Sequence, residues 1–259
     1  MIGVYDSGLG GLSVWRELVK VMPFEDYIYF SDGGHCPYGR KPVDFIVERA
    51  CKVTEFFIEK GVDLIVVACN TATAAAISYL REHYQMTFVG MEPALKPAAL
   101  HSKSKVIGIL ATAGTFKGKL YQNTLAKYRD DVEVIEARGD GLVEAVESGE
   151  LHSESTVSLL HKYIDPMMEK GADHIVLGCT HYPFLMEEIE KIVDGKAVII
   201  DPAPPVSRHV YDLLYGGKSD VPSDRKGSTV FYSTCTTPYK ADILERSCGQ
   251  PLQWRYLSL

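Results

Sequence analysis

Cys69 and Cys179 carry the sharpest chemical signal in the chain. Each ends a short apolar run and opens a small polar turn, Asn70-Thr71-Ala72-Thr73 after the first and Thr180-His181-Tyr182-Pro183 after the second. That pattern predicts a thiol at the carboxyl end of a strand, where ligands bind in open α/β sheets. The helix expected to follow each turn lowers a thiol pKa from its free value of about 8.5 and makes thiolate available near neutrality. A single such cysteine reads most simply as a small buried hydrophobe, but two at matching places call for a shared role. A Cys–His nucleophile built from Cys179 and His181 is open by type, though it leaves Cys69 with nothing to do. The cysteines at 36, 51, 235 and 248 read as buried or free thiols.

Asp6-Ser7-Gly8-Leu9-Gly10-Gly11 is the second candidate, a turn between a strand and a helix whose backbone amides could bind an anion. A dinucleotide fingerprint is the rival reading. It asks for Gly or Ala at position 13, where Ser13 stands, although Asp32 at the next strand end fits it. A purely structural tight turn is the third reading. His35-Cys36 and Cys179-Thr180-His181 offer soft ligands, but neither spacing matches a zinc motif, so no metal is expected.

The elements that must hold these residues follow from hydrophobic patterning. Short strand-like runs at Ile2–Tyr5, Tyr27–Phe30, Leu64–Ala68 and Thr87–Gly90 alternate with helical patterns at 12–22, Phe45–Lys60 and Thr73–Tyr84. The alternation restarts with strands at Val106–Leu110, Val132–Glu136, Ile175–Leu177 and Ala197–Ile200, separated by helices near Lys119–Lys127, Gly141–Ser148, Ser155–Lys170 and Pro183–Val193. Apolar strands of this kind suit parallel sheets covered on both faces. The run from Gly61 to Thr71 parallels that from Gly171 to His181 at a constant offset, which predicts structural repetition. The expected architecture is α/β, with two similar lobes related by a pseudo-twofold axis and the site in the cleft between them. Proline-rich crossings near Glu92–Pro97 and Pro202–Pro205 place residues 1–93 with 204–259 in the lobe carrying Cys69, and 94–203 in the lobe carrying Cys179. The strand at Ser228–Tyr232 is expected to rejoin the first lobe.

The 259 residues carry 27 basic and 34 acidic side chains, a net charge of −7, with 46% apolar residues. This composition excludes disordered and fibrous classes, and the absence of a basic block argues against nucleic acid or an anionic membrane as partner. No apolar run approaches the ~18 residues of a membrane span, and the first residues carry no secretory pattern. Six cysteines without a C-x-x-C pair suit free thiols in a reducing cytoplasm.

Taken together, Asp6-Ser7-Gly8-Leu9-Gly10-Gly11, Pro37-Tyr38-Gly39, Ala68-Cys69-Asn70-Thr71-Ala72 and Gly178-Cys179-Thr180-His181-Tyr182-Pro183 resemble the cofactor-independent aspartate/glutamate racemase family, in order and from residue 3 to at least residue 215. The resemblance implies an isomerase that interconverts L- and D-glutamate and supplies D-glutamate for peptidoglycan, cytoplasmic, homodimeric and without cofactor. It implies that Cys69 and Cys179 exchange a proton with opposite faces of the α carbon, with Asp6 assisting near Cys69, and Glu147 and His181 near Cys179. A solvated helix-end carboxylate is the plain alternative for Glu147, and a structural hydrogen-bonding ring for His181. By the same resemblance Asp6, Ser7, Tyr38, Gly39, Asn70, Thr71, Thr112, Thr180 and His181 contact the amino acid through hydroxyls and turn amides. Asp32-Gly33-Gly34-His35-Cys36 stands where the family usually carries Asp-Thr-Ala-Arg, and Arg138-Gly139-Asp140 where a Cys-Pro segment is expected. With no extension before Ile2, dependence on a nucleotide activator is not expected. Aspartate as substrate, a non-catalytic amino-acid binder and a nucleotide-dependent oxidoreductase are the competing functions.

Overall fold

A computed structural model describes residues 1–216, 224–236 and 252–259; Cys248 lies outside them. The first sheet is built from β1 (Ile2–Asp6), β2 (Tyr27–Ser31), β3 (Leu64–Val67) and β4 (Thr87–Gly90), and the second from β5 (Val106–Ala111), β6 (Glu133–Arg138), β7 (His174–Gly178) and β8 (Val198–Ile200). Two late strands, β9 (Thr229–Ser233) and β10 (Trp254–Tyr256), extend the first sheet beyond β2, giving the orders β10-β9-β2-β1-β3-β4 and β6-β5-β7-β8. Every pairing between these strands is parallel.

The two sheets repeat one topology, since β2-β1-β3-β4 and β6-β5-β7-β8 follow the same order. The helices are α1 (Leu12–Val21), α2 (Val43–Glu59), α3 (Asn70–His83), α4 (Leu95–His101), α5 (Ala113–Lys117), α6 (Lys119–Tyr128), α7 (Leu142–Ser148), α8 (Glu154–Glu169), α9 (Met186–Val193) and α10 (Ala203–Tyr215). The repetition extends to the turns. Gly61 after α2 and Gly171 after α8 both adopt positive φ, 73° and 81°, where an L side chain would be strained. Each glycine ends a helix so that the next strand can run to a cysteine.

The apolar strand runs are explained by burial on both faces. One face of the first sheet packs Val4, Tyr29 and Val66 against Leu12, Trp15 and Leu18 of α1 and Val210 of α10; the other packs Phe30, Ile65 and Val67 against Ala50, Val53 and Phe57 of α2 and Ala76, Ile77 and Leu80 of α3. The second sheet is covered by Leu160, Ile164 and Met167 of α8 and Ile189 of α9 on one side, and by Leu95 and Ala98 of α4 and Tyr121 of α6 on the other. With the hydrophobic faces consumed in this way, the carboxyl ends of the central strands are left to polar turns.

Several boundaries differ from the sequence expectation, each for a local reason. Pro204 and Pro205 lie in the first turn of α10 rather than in a linker, because a helix's first turn needs no donor from them. The helix expected from Pro183 begins as a 3₁₀ turn, Tyr182–Leu185, before α9. The helices α4 and α5 and the strand β10 are short elements that patterning did not separate from loops.

Candidate active site

β1, β3 and β7 deliver the chemistry at their carboxyl ends. Cys69 caps α3, its Sγ accepting the Ala72 amide at 3.4 Å and its thiol donating to Ser7 Oγ at 3.5 Å. Cys179 follows β7, with Sγ 3.8 Å from His181 Nδ1. Both sulfurs are buried, and both residues line one narrow pocket together with Ser7, Tyr38, Gly39, Asn70, Thr71, Thr112, Thr180 and His181, and with Pro37 and Val143. Its volume is only about 10 Å³, room for no more than one water.

Two residues expected nearby stand just behind this pocket. Asp6 ends β1 with no exposed surface, accepting Gly8 N–H at 2.8 Å and the Thr180 hydroxyl at 3.0 Å. Glu147, at the end of α7, receives Leu9 N–H at 2.7 Å and shares a 2.6 Å hydrogen bond with His181 Nε2. His181 therefore bridges Cys179 and Glu147. Asn70 supplies an unusual element, since neither its Oδ1 nor its Nδ2 has a hydrogen-bond partner although the residue is 3% exposed. A buried amide left open in this way costs stability unless something binds it.

The turn after β1 is explained by the approach of the second sheet's residues. A methyl at Gly8 would run into Glu147, and one at Gly10 into His181. Its amides point at Asp6 and Glu147, and Asp32 is held by two bonds from Arg49, at 2.7 and 2.9 Å. The features that suggested a dinucleotide are thus engaged within the protein.

Electrostatics correct one expectation. Burial, reinforced by the Asp6 charge, pushes Cys69 up to about 12, outweighing the Ser7 and Ala72 hydrogen bonds at the start of α3. The helix end alone does not yield a thiolate at neutral pH. Burial likewise raises Asp6 to about 6, against the opposing pull of His181 and the Gly8 and Thr180 hydrogen bonds. For His181 burial favours the neutral ring, but Cys179, Cys36 and Glu147 outweigh it and raise the imidazole well above its ordinary value. The hydroxyl of Tyr38 faces away from ligand duty: it donates to Asp32 Oδ2 at 2.5 Å and shares a 2.7 Å bond with Tyr5. Thr71 and Thr112 meet hydroxyl to hydroxyl at 2.8 Å.

Sequence reasoning missed Cys36, whose thiol lies 3.6 Å from Glu147 Oε1, and the Asp32–Arg49 pair that anchors Tyr38. The sequence signals for the first were its place beside Pro37-Tyr38-Gly39 and the soft-ligand pair His35-Cys36, whose spacing matched no metal motif.

Two repeated parallel-sheet lobes with one buried thiol from each on a common pocket define a two-thiol, two-lobed α/β protein. The Asp/Glu/Hydantoin racemase family model matches residues 36–206. The chain is 45% identical over 247 residues to a glutamate racemase from Herpetosiphon aurantiacus, covering 95% of this chain and 96% of that one. Among solved structures it is similar to a glutamate racemase isoform from Bacillus anthracis, with TM-score 0.86, 28% identity and coverage of 100% and 97%. The glutamate racemase from Francisella tularensis in complex with D-glutamate gives TM-score 0.84 and 28% identity over 99% and 97%. The chain belongs to the Asp/Glu/Hydantoin racemase family.

Proposed function

We propose that this protein is an isomerase that racemises glutamate without a cofactor, Cys69 and Cys179 acting on opposite faces of the α carbon. The observation that carries this reading is the convergence of one buried thiol from each repeated lobe on a single pocket. One sulfur, as thiolate, removes the α proton while the other, as thiol, delivers a proton to the opposite face; in the reverse direction they exchange states. The substrate's ammonium brings a positive charge beside a thiol that burial holds protonated, and so favours the thiolate. His181 and Glu147 assist proton movement on the Cys179 side, and Asp6 assists near Cys69. Asn70 offers an open donor and acceptor to the amino acid, alongside Ser7, Thr71, Thr112 and Thr180 and the backbone amides of Tyr38 and Gly39.

We read residues 1–93 with 204–259 as one lobe and 94–203 as the other. The protein is assigned to the cytoplasm as a homodimer that supplies D-glutamate for peptidoglycan. Glutamate, rather than the shorter aspartate, is favoured by the relatives at high coverage, which are named glutamate racemases.

The test is incubation of reduced protein with L-glutamate, and separately L-aspartate, in deuterated water without additives. Loss of optical activity with deuterium at the α carbon of glutamate is expected. Cys69→Ser and Cys179→Ser are each expected to lower the rate by about 10²–10⁴-fold, the usual contribution of a positioned acid or base. Racemisation at the wild-type rate in either variant rules out the two-thiol mechanism, and exchange confined to aspartate reassigns the substrate.

A further inference from the structure

We propose that Cys36, Glu147 and His181 form a binding site for a zinc-type divalent cation, and that the ion, once bound, disables the Cys179 side of the cleft. Cys36 Sγ, a Glu147 carboxylate oxygen and a His181 ring nitrogen lie within 4.8 Å of one another. A thiolate, an imidazole and a carboxylate form a donor set that suits zinc, and three protein ligands leave a fourth position open. Tetrahedral ligands around zinc stand about 3.4–3.8 Å apart. The 3.6 Å between Cys36 Sγ and Glu147 Oε1 already meets that spacing, while the 2.6 Å hydrogen bond between Glu147 and His181 Nε2 must open by about 1 Å to admit an ion. Leu9 N–H donates to Glu147 Oε1 at 2.7 Å and orients the carboxylate, as outer-shell donors do in metal sites. Coordination sends the Cys36 thiol proton and the proton held between His181 and Glu147 to solvent, and the two anionic ligands balance the charge of the ion.

The three ligands come from separate segments, so no zinc spacing exists in the sequence. Cys36 follows a 3₁₀ turn (Gly33–His35) after β2, whereas Glu147 and His181 stand beside the second sheet. A bound ion therefore ties one lobe to the other. It also removes His181 and Glu147 from the Cys179 side, and this inhibitory consequence rests on the racemase reading, while ion binding does not.

The experiment uses the full chain, stripped by chelator and kept reduced with a phosphine. Cobalt(II) is titrated as the optical probe, then displaced with zinc, and racemisation is followed in parallel. One cobalt per chain with a thiolate-to-metal charge-transfer band is expected, the band vanishing in Cys36→Ala. Loss of the Cys36 ligand in Cys36→Ala should weaken zinc inhibition by roughly tenfold or more, since even an outer-shell partner is worth 10–100-fold, with turnover in metal-free buffer retained. Zinc-edge X-ray absorption of the wild-type protein needs no variant and should count one sulfur at about 2.3 Å. No thiolate band, a band that survives Cys36→Ala, or a count of zero or two sulfurs overturns the site. Should the protein fail to racemise glutamate, the band and the sulfur count still decide whether the metal binds.

Discussion

Asp6 is the residue whose surroundings make the plainest demand on pH. The folded chain holds its proton with a midpoint near 6, against 3.8 for the ordinary side chain. Its contribution to stability is therefore complete below about 3.8 and is lost as pH rises through 6, a difference of about 3 kcal/mol. Asp6→Asn removes that dependence. Denaturant midpoints at pH 4 and pH 7 should show the wild type losing more stability across the interval than the variant; parallel losses would contradict the assignment. Ionised Asp6 is also the form that accepts most strongly from Gly8 and Thr180. The acid limb of kcat/KM is expected near pH 6 in the wild type and displaced in Asp6→Asn. At this scale the sequence named side chains that the fold gathers around one pocket, but not how they titrate: Cys69 looked like a thiolate from its place before a helix, and only burial beside Asp6 reverses that.

Among the elements, the turn between β1 and α1 shows most clearly how position becomes chemistry. Gly10 lets the His181 ring sit against the backbone, so Gly10→Ala must displace a ring that bridges Cys179 and Glu147. A misplacement of this kind is expected to lower kcat/KM by about 10²-fold, with a smaller effect on the thermal midpoint. Measuring both on one preparation separates the two; an unchanged kcat/KM would mean the ring's position is not critical. The central strands β1, β2, β3, β5 and β7 were legible because buried parallel strands write continuous apolar runs, whereas β6, with no buried residue, was marked only by its β-branched Val134 and Ile135. α10 was not, since its opening prolines read as a linker. The Asp32–Arg49 pair is joined by helix packing across 17 residues, a contact that no local pattern encodes.

For the whole molecule the governing fact is closure. Asp6 to Thr180, Leu9 to Glu147, Ser13 to the Thr180 carbonyl and Thr71 to Thr112 all bridge the two lobes, and the pocket they narrow is too small for an amino acid. Turnover thus requires the lobes to part and reclose. At the exposed rim Arg40 and Glu144 face each other at 3.9 Å. A double variant, Arg40→Cys with Glu144→Cys, should lose activity when its new cysteines are joined by a thiol–thiol cross-linker long enough to span the two positions, since a direct disulfide needs closer Cα atoms than a tip-to-tip contact of long side chains provides, while each single variant stays active after the same treatment. Full activity in the cross-linked double variant would show that parting at this rim is unnecessary.

The two thiols have unlike companions: Cys69 has a hydroxyl and an amide, Cys179 an imidazole backed by a carboxylate. Mirror-image amino acids have equal free energy in water, so the equilibrium between them is fixed at unity whatever the protein does. A lopsided site is free to give the two directions different maximal rates and different saturation points. It cannot give them different ratios of the two. Any substitution on the His181 side must therefore move kcat/KM for both enantiomers by one common factor, and the handedness of the site is expressed only in how each direction divides that ratio.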